Sequence, residues 1–158
     1  MHDLTFLEET VSRVQLALNV GDLEASIDFY TKLFKTPPNK TRKNYANFAI
    51  DEPPLKLILI AGEGTPGTMN HVGVEVASTE EVAEATTRMQ AEGAVCDIET
   101  GTTCCFAVQD KVWVSGPEIP WEIYTVLADA DVMHPTEGEC CTPNPVAVSA
   151  APLIKACC

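Results

Sequence analysis

The sequence predicts an α+β domain: two βαβββ modules whose strands pair into one cupped, partly closed mixed sheet. Three observations carry that expectation. A faint internal repeat relates VQLALNVGDLEASIDFYTKLF to NHVGVEVASTEEVAEATTRMQ, each reading as a strand, a capped turn and a helix. In that alignment Gln15 falls on His71, Ala17 on Gly73, Val20 on Val76 and Glu24 on Glu80. Short alternating apolar segments follow each helix, as strands require. Beyond Ala128 the periodic pattern stops, and a stretch rich in Pro, Ala, Ser and Cys takes over.

The elements follow in order. In the first module Asp22 is a natural N-cap, and Leu23, Ile27, Tyr30 and Phe34 recur at helical spacing until Pro37-Pro38 stops the helix. YANFAI and LKLILI then read as strands. In the second module Ser78-Thr79-Glu80-Glu81 fits a capping box, and Gly93 fits the helix stop. AVCDI, CCFAVQD, KVWVSG and WEIYTVL read as the strands that follow. The organisation expected is an acidic lead-in over 1–12 and a domain over 13–128, with modules at about 13–60 and 70–127. A flexible Cys-containing tail is expected over 129–158.

Composition narrows the function. A chain of 158 residues holds one compact domain. Its formal charge of −13, with no basic cluster, repels nucleic-acid phosphates and anionic membranes, so neither is expected as a partner. No apolar run approaches a bilayer span, and the acidic start MHDLTFLEET lacks the positive region of a signal peptide. A cytoplasmic protein is expected. Six of the seven cysteines form adjacent pairs: Cys104-Cys105, Cys140-Cys141 and Cys157-Cys158. Cys96 stands alone and is expected to be a small buried residue. An odd total in a reducing compartment argues against a disulfide framework, and no pair has C-x-x-C spacing. Handling of a soft ion such as arsenic(III), cadmium or mercury is the reading left.

Strand parity yields a second constellation. Gln15, Ala17 and Asn19 share one face of the first strand; His71, Gly73 and Glu75 share one face of its counterpart; Glu122 and Tyr124 share one face of the last. Gln15, His71 and Glu122 thus lie on the less apolar faces, and the opposite faces read as helix-covered core. An amide oxygen, an imidazole and a carboxylate form a mixed N/O site suited to Fe(II) or Mn(II), with positions left open. Aligning EPPLKLIL with EIPWEIYT sets Lys56 opposite Glu122, and an ammonium is a poor fourth ligand. On a regular strand Cys104 and Cys105 would point to opposite faces, so TGTTCC is expected to bend or form a mobile loop. Lys111 reads as a solvated turn charge.

SRVQLALNVGDLEASIDFYTKLF, YANFAIDEPPLKLILI, NHVGVEV, TTCCFAVQDKVWVSGP and PWEIYTVL resemble the vicinal oxygen chelate superfamily. More narrowly, they resemble its organoarsenical carbon–arsenic lyases and their cadmium-induced relatives. The resemblance covers about Ser12 to Leu127 and implies the vicinal oxygen chelate fold. It implies an Fe(II)-dependent dioxygenase that cleaves the carbon–arsenic bond of trivalent organoarsenicals, methylarsenite and aromatic arsenicals among them, and releases arsenite. By position it makes Gln15, His71 and Glu122 the iron ligands and Cys104 and Cys105 the arsenic-binding thiols. The partners implied are the arsenical and dioxygen, with the chain a monomer or homodimer. The competing expectation is a protein that sequesters cadmium or arsenite on its thiols without turnover.

Overall fold

Each module starts with a strand that feeds a capped helix. In the first, β1 (Arg13–Val20) leads to Asp22, whose carboxylate accepts a hydrogen bond from the Ala25 amide at 3.0 Å and opens α1 (Leu23–Phe34). Such a cap contributes about 1 kcal/mol. The helix ends before the prolines, because Lys35 turns into the left-handed region at φ 53°. In the second, β5 (Met69–Glu75) leads to Ser78, whose hydroxyl accepts from the Glu81 amide at 3.3 Å and opens α2 (Thr79–Ala91). Glu81 reaches back to the Ala77 amide at 2.8 Å, one residue short of the reciprocal bond the sequence suggested.

The structure, a computed structural model, describes residues 12–134. The remaining elements are β2 (Lys40–Arg42), β3 (Tyr45–Ile50), β4 (Leu55–Ala61), β6 (Cys96–Cys104), β7 (Ala107–Val114) and β8 (Trp121–Asp129). All strands join one eight-stranded sheet in the order β2-β3-β4-β1-β5-β8-β7-β6. The pairs β1·β4 and β5·β8 are parallel, and the modules meet through antiparallel β1·β5. Each module is therefore βαβββ, and the sheet is mixed and not closed. The tail pairs Cys140-Cys141 and Cys157-Cys158, the lead-in and most of the expected tail lie outside the described residues.

Two corrections concern the second module. CCFAVQD and KVWVSG are not two strands: β7 runs unbroken through both. The bend expected over TGTTCC falls later, at Cys105-Phe106, while Gly101 (φ 61°) sits at a bulge inside β6. The Gly101 amide donates to Asp110 at 2.8 Å there, so the irregular backbone is tied down rather than loose.

The two sheet faces differ in kind. One buries Ala46, Phe48, Ile50, Leu57 and Leu59 against α1, and Val112 and Val114 against Val82 of α2. Half-buried Cys96 packs in that second cluster, and burial pushes its thiol pKa up. The other face is cupped. Lys40 on β2 bonds the Phe106 carbonyl at 3.0 Å and the Asp129 carboxylate, and the rings of Tyr45 and Phe106 meet at 5.1 Å. One sheet edge thereby reaches the β6–β7 hairpin across the cup. No helix among the described residues is long and apolar enough to cross a membrane.

Candidate functional site

The register across β1, β5 and β8 brings the three candidate ligands together. Gln15 and Glu122 both lie opposite Gly73, and His71 lies opposite Ala17. A Cβ at Gly73 would come within 2.5 Å of Glu122 Cγ and 2.6 Å of its carbonyl oxygen. Only glycine lets Glu122 fold over β5. The Gln15 amide then donates to Glu122 Oε1, and His71 Nε2 stands 3.4 Å from the same oxygen. All three side chains are buried, Gln15 to 1 % and Glu122 to 2 % exposure.

Neighbours orient the imidazole. Asn70 donates through Nδ2 to Asn19 Oδ1 at 2.9 Å, and Asn19 donates to Thr68 Oγ1 at 2.9 Å. Asn70 Oδ1 is thereby left as acceptor toward His71 Nδ1, 2.8 Å away. Nδ1 therefore carries a proton, and Nε2 faces Glu122. Among the described residues no group of three His, Cys, Asp or Glu side chains converges. The third donor is an amide, whose carbonyl reaches a cation after rotation about its last bond. Amide oxygen, imidazole nitrogen and carboxylate fit a divalent cation of borderline hardness.

Lys111 reverses its expectation. It is fully buried, with Nζ 3.5 Å from Glu122 Oε2 and 5.6 Å from the centre of the Trp113 ring. Lys111 and Trp113 face the cup because they pair with Tyr124 and Glu122 on β8. The alternation of Gln109, Lys111 and Trp113 in VQDKVWV is the signal that would have found it.

Register also corrects the placing of Lys56. It lies opposite Gln15, whereas Glu122 lies opposite Gly73, so the internal dyad matches Glu122 to Ile58 and Lys56 to Pro120. A slip of two residues keeps every side chain on its face, so alternation alone could not detect it. The first module still supplies no fourth ligand, since Ile58 has no donor. Lys56 instead pairs with Glu75 at 3.5 Å.

Cys104 ends β6, and Cys105 opens the two-residue turn that leads into β7. Cys105 and Phe106 both take left-handed φ, 54° and 60°, as in a type I′ hairpin. Each non-glycine residue there costs about 1–2 kcal/mol, offset by packing of both into a cluster with Ala17, Tyr45, Ile58, Ile60 and Trp113. The turn swings Cys105 off the strand alternation. Cys104 and Cys105 Sγ consequently lie 3.4 Å apart, both buried. Two bonds of about 2.3 Å, typical of metal–thiolate contacts, span that separation at an angle of about 95°. That angle suits a pyramidal three-coordinate centre.

One member of each group lines a common cavity. Gln15 and Cys105 both line a space of about 120 Å³, with Tyr45, Asn47, Gln109 and Tyr124. Trp113 bridges them too, packed with the cysteines and 6.2 Å from His71 ring to ring. Burial, and then the charges of Glu75 and Glu122, hold the Tyr124 hydroxyl well above its ordinary pKa. Cys96 lies on the helix-covered face, outside this cavity.

The family model of the glyoxalase/bleomycin resistance protein/dioxygenase superfamily matches residues 12–118. The cadmium-induced protein CadI of Mycobacterium tuberculosis is 58 % identical over 122 residues, 77 % of this chain and 80 % of that one. The trivalent organoarsenical cleaving enzyme of Thermomonospora curvata is 52 % identical over 151 residues, 94 % of this chain and all of that one. Among solved structures, the Mn(II)-bound glyoxalase of Novosphingobium aromaticivorans superposes with a TM-score of 0.53 at 18 % identity. That match covers 76 % of this chain and 42 % of the glyoxalase. An extradiol ring-cleaving dioxygenase from B. fuscum gives 0.53 at 18 % identity, covering 77 % of this chain and 34 % of the dioxygenase. The chain spans less than half of either solved protein, and these likenesses concern the fold alone.

Proposed function

The chain belongs to the glyoxalase/bleomycin resistance protein/dioxygenase superfamily, and from that premise we propose that it is a carbon–arsenic lyase. In this reading it is an Fe(II)-dependent dioxygenase that releases arsenite from trivalent organoarsenicals, methylarsenite and aromatic arsenicals among them. The observation that carries the reading is the dithiol, with sulfurs 3.4 Å apart, lining through Cys105 the same cavity as Gln15. The extensive identity to a trivalent organoarsenical cleaving enzyme supports it.

This reading gives each group of residues a role. Cys104 and Cys105 exchange two hydroxyls of the arsenical for two As–S bonds, releasing water, and hold the arsenic against the cup. Held substrate replaces random encounter and lowers the entropic part of the barrier. Gln15, His71 and Glu122 are the residues that would hold Fe(II), which supplies the redox chemistry with dioxygen that side chains lack. Asn70 keeps the His71 proton on Nδ1, so that Nε2 remains a donor. Ile58, Ile60 and Tyr45 keep bulk water from the thiols. For methylarsenite the atoms balance: one methylarsenite and one dioxygen contain the atoms of one arsenous acid and one formaldehyde. Thiols kept reduced for this chemistry suit a reducing compartment, which supports a cytoplasmic protein.

The test is anaerobic loading with Fe(II), addition of methylarsenite, then air, with arsenite measured. Arsenite release that requires both iron and air is expected. Absence of release with iron demonstrably bound would remove the assignment. Tight arsenical binding without release, unchanged in His71→Ala, would instead identify a sequestering protein.

A further inference from the structure

The cavity lined by Cys105 and Gln15 is more polar than holding arsenic requires. Tyr124 is 1 % exposed and Gln109 5 %, and both line it together with Glu75. Each carries a buried oxygen with no protein hydrogen-bond partner among the described residues: the Tyr124 hydroxyl, Gln109 Oε1 and Glu75 Oε2. Two of these oxygens accept only, and the phenol accepts or donates. Buried acceptors left to water bind a ligand that brings its own donor, and they disfavour one that does not. Lys56 holds the other oxygen of Glu75 at 3.5 Å, which fixes the carboxylate in place.

Size sets a second limit. The space of about 120 Å³ is close to the ~150 Å³ void that accepts a benzene molecule. A single ring is the upper limit, with any substituent reaching along the open side of the space, and a fused ring system does not fit. Half-exposed Val126 and exposed Asp129 also line the space and mark its mouth.

We propose that this cavity receives the organic group of the arsenical, and that Tyr124, Gln109 and Glu75 select single-ring groups carrying an amino or hydroxyl donor over apolar groups of equal size. The inference rests on the lyase reading above, because the arsenic must first sit on Cys104 and Cys105.

Binding to the metal-free, reduced protein tests it without turnover. The probes are para-aminophenylarsenite and para-tolylarsenite, which differ in one group of nearly the same volume. Calorimetry should show the amino compound about ten-fold tighter, the worth of one hydrogen bond to a buried acceptor. Tyr124→Phe, Gln109→Leu and Glu75→Gln should each narrow the ratio of the two affinities. Equal affinities in the wild-type protein, or a ratio that survives all three substitutions, would overturn the selectivity while leaving the dithiol reading intact. Failure of both compounds to bind, with Cys104 and Cys105 shown to be reduced by mapped alkylation, would overturn the dithiol reading and this inference with it.

Discussion

Lys111 Nζ lies 3.5 Å from Glu122 Oε2, with both side chains closed off from solvent. A buried ammonium beside a carboxylate neutralises it while no cation is bound, and repels a cation that arrives. Lys111→Met should therefore tighten Mn(II) or Fe(II) binding about ten-fold, read by equilibrium dialysis. The metal-free protein should lose about 3–5 kcal/mol, because the carboxylate is left uncompensated. Saturating metal should restore much of that loss in a melting experiment. Unchanged metal affinity in a folded variant would show that the cation binds away from Glu122.

Gly73 allows the close crossing of Gln15 and Glu122, and its substitution separates the two halves of the site. A methyl at that position meets Glu122 Cγ at 2.5 Å and Glu122 O at 2.6 Å, one of them backbone that cannot swing aside. In Gly73→Ala, β8 must shift from β5, at the roughly 1–3 kcal/mol of an overpacked core. Arsenite release and metal binding should fall at least about a hundred-fold. Arsenical binding by Cys104 and Cys105, on the β6–β7 hairpin, should stay within about two-fold. Parallel loss of both would mean that the thiols depend on the β5–β8 register.

The thiols should behave as one unit. On the lyase reading each would hold the arsenic at an effective concentration set by the other, so the second As–S bond would form as an intramolecular step. Cys104→Ser and Cys105→Ser should each weaken arsenical binding by at least about a hundred-fold, and the double variant should lose little more than either single one. Additive losses would indicate two independent weak sites. Serine suits the comparison because it leaves the turn at Cys105 able to form.

Alternation along β1, β5 and β8 made Gln15, His71 and Glu122 legible, since period 2 fixes which side chains share a face whatever the exact pairing. The helices were legible for a similar reason: Asp22 and Ser78 are caps that act locally. The turn at Cys105-Phe106 was not. A type I′ hairpin announces itself through Asn-Gly or Asp-Gly, and here two residues without left-handed preference are held by packing against Tyr45 and Trp113, far away in sequence. Lys111 was misplaced for the opposite reason. Its charge predicts solvent, and only the pairing of β7 with β8 places Glu122 beside it. Lys56 fell to a slip of two residues, to which a period of two is blind.

Lys40 closes the rim of the cup, and its two bonds should separate by pH. One goes to the Phe106 carbonyl at 3.0 Å, in the turn that carries Cys105. The other goes to Asp129, whose carboxyl the hydrogen bond and charge of Lys40 hold below its usual range. A depressed carboxyl pKa stabilises the folded state fully above the unfolded value, about 4, and that contribution is lost as pH falls through the folded value. Asp129→Asn should therefore speed hydrogen exchange at the Ala130 amide, which donates to the same Phe106 carbonyl at 2.9 Å, modestly at pH 7 and progressively less as pH falls through the folded value. Because the Asp129 side chain is 76 % exposed, molar salt should remove most of the difference. Lys40→Met loses the carbonyl contact as well, so its excess exchange should persist in salt and in acid. If both variants respond alike to acid, the turn is held through Asp129 alone and the bond to Phe106 contributes nothing.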